Sequence, residues 1–194
     1  MAVSGCSYRR DYPPSEFIEG YRKSKVWIIG LNPKEEPTRS RSELAKRFDD
    51  PTKLHPYFKD FRTVSQTLYD LLGKEEGVAH TDLVRCHSPS WPPPGVKSAE
   101  ERTIIENCSP YLVSQIRSLK PQLLICNGSK VSSFIKEIVK PPDNETGCTS
   151  YSGRFEGKTI HVILSGFVGR LDNYAKWRLG REIEHCLRRI LSKA

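Results

Sequence analysis

The residues of this chain that could do chemistry stand where apolar runs stop. Asn32 follows Val26-Trp-Ile-Ile-Gly-Leu31, Asp82 to His87 close a second run, Asn127 to Lys130 a third, and Ser165 to Arg170 a fourth. Asn32 carries an amide, which accepts through its oxygen and donates through its nitrogen. It can orient a water molecule but takes no proton at neutral pH. Any catalysis through it rests on positioning and on stabilising separated charge. The same residue can simply end its strand in an Asx turn. An ionised Asp82 offers acceptors only, whereas burial can raise its pKa until it donates. A capping or salt-bridged aspartate fits that position equally. His80 lies two residues earlier and so on the same strand face; it is an acid/base candidate or a structural histidine. Ser129 and Lys130 open a helix, where backbone N–H groups and an ammonium suit a phosphate.

Such residues act together only if the strand ends meet. Short apolar runs alternate with helical periods, the pattern of parallel βα units. Lys25–Leu31 is apolar almost throughout, as a strand covered on both faces must be. Phe61–Leu72 reads as a helix with Val64, Leu68, Leu71 and Leu72 on one face, stopped by Gly73. Val78–Arg85 is the second strand. Ser98-Ala-Glu-Glu101 opens a helix as a capping box, and Ser109-Pro110 restarts one. Pro121–Asn127 is the third strand. Tyr151–Phe155 and Lys158–Leu164 flank Glu156-Gly157 as a hairpin whose second arm is the last core strand. Asp172–Leu191 is a helix with Leu179, Ile183 and Leu187 at helical spacing. The predicted fold is α/β: a three-layer α/β/α sandwich around a four-stranded parallel sheet, one domain over residues 1–194. Ligands of such sheets bind outside the strand ends.

The 194 residues include 31 Lys and Arg against 23 Asp and Glu, a net charge of +8. That surplus suits a polyanionic partner such as nucleic acid, or a solvated basic surface. No apolar run approaches the ~20 residues that span a bilayer. The opening residues MAVSGCSYRRDYPP contain no apolar signal core. Six cysteines, at 6, 86, 108, 126, 148 and 186, form no CxxC pair. These features fit a reduced, cytoplasmic or nucleoid-associated protein that is not secreted.

The four strand ends, in this order, resemble those of the uracil-DNA glycosylase superfamily. Gly30-Leu-Asn-Pro33 resembles the G-x-N-P-G motif of its mismatch-specific and single-strand-selective branches. Thr81-Asp-Leu-Val-Arg-Cys86 with the Pro-rich loop His87–Gly95 resembles the thermostable iron–sulfur branch. Cys108-Ser-Pro-Tyr-Leu112, Gln115-Ile116 and Lys120-Pro-Gln-Leu-Leu-Ile125 continue that likeness, and Asn127-Gly-Ser129 stands at its strand-to-helix turn. The resemblance implies a monofunctional DNA glycosylase of base excision repair. It would flip a damaged or deaminated base, uracil or a related oxo-purine or pyrimidine, and hydrolyse the N-glycosidic bond to leave an abasic site. Flipping is needed because that bond is out of reach within a stacked duplex.

On this resemblance each position takes a role. Gly30 lets the backbone approach the base closely, Leu31 is a further substrate-binding position, Pro33 stiffens the loop, and Asn32 positions the water. Asp82 stands where many relatives carry the asparagine that reads uracil; it either donates as a protonated acid, selects another base or polarises the water. Ser165 and Gly166 replace a His-Pro pair at the base carbonyl. Phe167 or Val168 would wedge into the duplex, and Arg170, Ser129 and Lys130 would hold phosphates. Phe58 and Phe61, with Phe48 as a third choice, would stack on the base. Pro92-Pro-Pro94 would press on the DNA backbone. Lys34 replaces a second glycine. With Asp82 and Ser165 it points to an alternative: a non-catalytic DNA- or lesion-binding protein on the same scaffold. A monomer acting on DNA, away from membranes, is implied either way.

The iron–sulfur relatives use four cysteines. Cys86 and Cys108 match the last two, and Cys6 lies where the first pair begins, with Arg9 in place of its second member. A four-iron [4Fe-4S] cluster takes four thiolates. The partial match implies no cofactor, with Cys86 and Cys108 packed as small apolar residues; Cys148 could join them only if its hairpin came near.

Overall fold

The structure, a computed structural model, describes residues 18–33, 48–50, 54–86, 88–145 and 147–192. Lys34, His87, Cys6 and Arg9 lie outside them. Strand β1 (Val26–Gly30) is buried at every position, as are β2 (Val78–Asp82) and β3 (Leu123–Asn127). Strands β4 (Ser150–Phe155) and β5 (Lys158–Ser165) complete a sheet of order β2-β1-β3-β5-β4. β2, β1, β3 and β5 run parallel, and β4 pairs antiparallel with β5. The sheet therefore has five strands rather than four: the first arm of the hairpin also joins it, as an antiparallel edge. The hairpin turn is tight because Glu156 (φ 47°) and Gly157 (φ 79°) both take left-handed backbone, the two-residue turn that matches strand twist.

Alternation along the strands sends one set of side chains to each face. Trp27, Ile29, Leu124, Cys126 and Val162 pack against α3 (Ser98–Leu119) and α4 (Ser129–Ile138). Val26, Ile28, Ile125 and Ile163 pack against α1 (Pro56–Lys59), α2 (Gln66–Asp70) and α5 (Asn173–Leu191). That is the expected three-layer sandwich. Complete burial of a side chain such as Ile28 or Ile29 contributes about 1.5–3 kcal/mol, and Trp27 directs its Nε1–H to the Ser24 carbonyl at 2.8 Å.

Two helices depart from the sequence pattern. The span Phe61–Leu72 is not one helix: a 3-10 turn over Asp60–Thr63 precedes α2. Ser65 is extended (φ −151°), and its Oγ accepts the Leu68 N–H at 2.9 Å, capping a fresh start. The break also receives α5, whose Gly180 packs on the Val64 carbonyl with no room for a Cβ. Conversely, α3 does not restart at Ser109-Pro110 but runs through them for 22 residues. Pro110 has no N–H for the Glu106 carbonyl, and the Ser109 hydroxyl reaches that carbonyl instead at 3.3 Å.

Candidate active site

The parallel register lines up the strand ends. Gly30 of β1 sits beside Asp82 of β2, and Asn127 of β3 sits beside Ser165 of β5. Gly30 faces a crowd of polar atoms. A Cβ there would collide with the Asp82 carboxylate and come within 2.9 Å of His80 Nε2 and 3.1 Å of the Tyr57 hydroxyl. Glycine is required at this point by close approach, since its φ is not positive. Asp82 is buried, and its Oδ1 lies 3.8 Å from His80 Nε2.

A chain of hydrogen bonds crosses the tips. Asn127 Oδ1 accepts the Val168 N–H at 2.8 Å, so its Nδ2 donates to the Tyr57 hydroxyl at 3.0 Å. Tyr57 lies 3.2 Å from His80 Nε2, and His80 Nδ1 lies 2.6 Å from Glu19 Oε2. One assignment satisfies all of these contacts. In this tautomer Nδ1–H donates to the Glu19 carboxylate, and the bare Nε2 accepts from Tyr57 O–H. Burial pushes the Tyr57 phenol well above its ordinary pKa, the Asp82 carboxylate adds to the rise, and the Asn127 amide opposes it. Tyr57 is thus a neutral donor. Glu19 reaches the site because its backbone exchanges both hydrogen bonds with His80, at 2.9 and 3.0 Å. Sequence reasoning missed both Tyr57 and Glu19. The signal for Tyr57 was its place between Pro56 and Phe58, at the start of a helical turn. Glu19 precedes β1 without any periodicity.

Asn32 is half-buried. Its Nδ2 donates to the Ser88 carbonyl at 3.0 Å and lies 3.1 Å from the Pro33 carbonyl, while the Ser88 N–H returns to Pro33 at 3.1 Å. The amide nitrogen therefore ties the loop after β1 to the loop after β2. The Oδ1 is the side of this amide on which a water could be held. The two loops also continue the strand pairing, with Leu83 and Val84 donating to Gly30 and Leu31.

The remaining expected residues are placed as follows. Phe58 and Phe61 are buried in the core below the tips, because α1 turns Phe58 inward and Tyr57 outward. Phe58 meets Phe48 and His80 edge-on, at 4.9 and 5.0 Å. The ring that borders the tips is Tyr57, which lies parallel to Phe167 at 6.3 Å. Phe167 is half-buried, whereas Val168 is only 1 % exposed and belongs to the core. Ser165 is held by its backbone: Ser132 Oγ and the Gly128 N–H both bond its carbonyl. The Ser165 hydroxyl turns to the carbonyl of Gly166, which is exposed. Ser129 is the exposed first residue of α4, after Gly128 (φ 122°). Lys130 pairs with Glu101 at 2.8 Å; that bond, with help from Trp91, holds the Glu101 carboxyl below its usual range. Arg170 is exposed at the end of a 3-10 turn.

Cys86 and Cys108 meet. A hydrogen bond from the Cys86 thiol, the N–H groups of Arg85 and Cys86 and the Arg85 guanidinium together lower the Cys108 thiol to about 6. Among the described residues no third His, Cys, Asp or Glu converges on this pair. Cys148 is exposed before β4, and Cys126 is buried in β3, its thiol pushed up by burial. The described residues thus bring two cysteine sulfurs together and do not by themselves fit a four-iron cluster. One group of mixed ligands stands elsewhere, His161, Glu182 and Cys186, where β5 meets α5. A groove of about 760 Å³ opens nearby, between Lys120, Lys158 and Arg189 at the other end of the sheet. It contains none of the strand-tip residues. The convergence of buried polar side chains, more than the size of a hollow, locates the site.

No helix among the described residues is long and apolar enough to cross a membrane. The chain is 26% identical over 161 residues to a Type-4 uracil-DNA glycosylase of Pyrobaculum aerophilum, a match covering 81% of this chain and 71% of that protein. It is 33% identical over 75 residues to the Type-4 uracil-DNA glycosylase of Saccharolobus solfataricus, covering 38% of this chain and 32% of that one. A profile of the family described as "Uracil DNA glycosylase superfamily" matches residues 17–177, a span that holds Glu19, Asn32, Tyr57, His80, Asp82, Asn127 and the Ser165–Arg170 loop. That match spans most of the chain, and the chain belongs to the uracil-DNA glycosylase superfamily.

Proposed function

We propose that this chain is a monofunctional DNA glycosylase. It flips uracil or a related deaminated or damaged base out of DNA and hydrolyses the N-glycosidic bond. The observation that carries the reading is the closeness of Gly30, Asp82, His80 and Tyr57 at one set of strand tips, in a chain of this family. A water oxygen attacks the sugar C1′, and the C1′–N bond breaks with its electron pair going to the departing nucleobase. One of the two water protons is given up to solvent or a carboxylate while the other stays on the new C1′ hydroxyl, and the nucleobase anion takes up a proton from solvent. Asn32 Oδ1 holds the water, with Gly30, Leu31 and Pro33 as the loop around it. Asp82 addresses the base or the water, and the neutral Tyr57 and Asn127 fix the polar wall. Ser165 and Gly166 border the base, and Phe167, Arg170, Ser129 and Lys130 face the strand. Phe58 and Phe61 support the Tyr57 ring from below rather than stacking on the base themselves. The protein works as a monomer in the DNA-containing compartment of the cell.

A second reading, a lesion-binding protein without catalysis, is favoured by one observation. The Asn32 nitrogen is engaged by the loop backbone, leaving one oxygen for chemistry. An oligonucleotide panel separates the two. It carries U, T, hypoxanthine or xanthine in single- and double-stranded form, with abasic product as the readout. Product that falls at least tenfold with Asn32→Ala supports the glycosylase; tight binding with no abasic product from any base supports the binder. Asp82→Asn restores the amide that many relatives carry and is expected to raise uracil excision. A fall instead would assign the carboxylate itself to the chemistry.

A further inference from the structure

Helix α5 leaves the candidate site carrying an unusual surface. Tyr174 is 67 % and Trp177 58 % exposed, in a chain that buries its other two tryptophans wholly or in part. Their rings are near-parallel, 26° apart with centroids at 6.1 Å. Arg178 lies over the Tyr174 ring at 5.9 Å, and Arg181 over the Trp177 ring at 5.6 Å. The four residues follow helical spacing, so they form one stripe about 10 Å long at ~1.5 Å per residue. The stripe is free of acid for a structural reason. Both carboxylates of this stretch turn into the fold, Glu182 to Ser150 at 2.8 Å and Glu184 to Ser65 at 2.5 Å. Exposed Arg170 lies in the turn that joins the strand-tip loop to α5, and Asp172 between them caps the helix by accepting the Ala175 N–H. The opposite face of α5 holds Gly180, Ile183, Cys186 and Leu187 in the core, so the stripe is not needed for packing.

Exposed parallel rings framed by guanidinium groups match one partner best. Unpaired bases offer π-faces that continue such a stack, while their phosphates meet the arginines. Duplex DNA has its base faces already covered and could use only the charge. We propose that Tyr174, Trp177, Arg178 and Arg181 form a stacking platform for single-stranded DNA, which holds the strand leaving the candidate site. This rests on the glycosylase reading for the direction of the strand but not for the contact itself.

The test uses the intact chain and a uracil-free 15-mer, single-stranded or as a duplex, so its result does not depend on base excision. Trp177 is the reporter, since it is the most exposed tryptophan. Its emission is expected to be quenched by the single strand. Tyr174→Ala with Trp177→Ala, followed by anisotropy of a labelled oligonucleotide, should weaken single-strand binding about tenfold or more and duplex binding less than about twofold. Trp177→Phe should retain most of the binding. Arg178→Ala with Arg181→Ala should lower the single-strand salt slope by about 1.4. Equal loss on both forms of DNA, no loss with the aromatic pair removed, or an unchanged salt slope would overturn the platform. Unchanged thermal melting of the variants confirms that they fold.

Discussion

Replacing Gly30 by alanine tests the site at its tightest point. The new methyl would lie against the Asp82 carboxylate, 2.9 Å from His80 Nε2 and 3.1 Å from the Tyr57 hydroxyl. The Asp82 oxygen, well inside any real contact distance, must swing away, His80 must shift, the Tyr57 hydroxyl must give by a few tenths of an ångström, and the 3.2 Å Tyr57–His80 bond must lengthen or turn. Overfilling a packed site costs about 1–3 kcal/mol, and one weakened hydrogen bond about 1 kcal/mol more. A loss of about 3 kcal/mol follows, or a fall in Tm of about 9 °C at ~3 °C per kcal/mol for a chain of this size. Much of that is owed to Asp82, the closest of the three. In an Asp82→Ala background Gly30→Ala should therefore cost about 1–2 kcal/mol less. Urea unfolding of the wild type, both single variants and the double variant gives that coupling directly. If the two costs add to within ~0.5 kcal/mol, Asp82 does not lie over Gly30 and the proposed polar cluster is wrong. Gly30→Ala is also expected to abolish excision, since the methyl fills the approach to Asp82.

Tyr57→Phe keeps the ring but removes the group that accepts from Asn127 and meets His80; an expected loss of about 2 kcal/mol reflects two buried polar atoms left without that partner, read from denaturant midpoints. Arg170→Ala should weaken DNA binding and lower the salt slope on duplex by about 0.9, and an unchanged slope would remove it from the DNA interface. The Cys108 thiol is lowered from 9.0 to about 6 in the folded chain. The stabilisation is thus full above pH 9 and lost as pH falls through 6. Wild-type stability should drop from pH 9 to pH 6 relative to Cys108→Ser, and parallel profiles would exclude a Cys108 thiolate held by the Cys86 thiol.

The sheet was legible because its strands are buried on both faces. Val26–Gly30 and Leu123–Asn127 are nearly unbroken apolar runs, and no helix of comparable length could hide them. The break at Val64-Ser65 was not legible, since it answers to Gly180, far away in sequence. Pro110 misled for a related reason: local rules mark proline as a boundary, but a neighbouring hydroxyl can serve the carbonyl it frees. At the site, Asn32, Asp82 and Gly30 could be named from position alone, because parallel strand ends gather whatever residues stand there. Tyr57 and Glu19 could not, because their roles exist only through contacts with His80 from 23 and 61 residues away. Phe58 and Phe61 show the same limit: an aromatic before a helix gives no sign of which ring faces the core.

The antiparallel edge has a practical use. The turn at Glu156-Gly157 is exposed, and nothing lies within 4 Å of the position a Gly157 Cβ would occupy. It sits at the start of β5, about 23 Å along the strand from Ser165 at ~3.3 Å per residue. A tag or tether inserted there would anchor the protein to a bead or sensor chip by its far end and leave the strand tips open to long DNA.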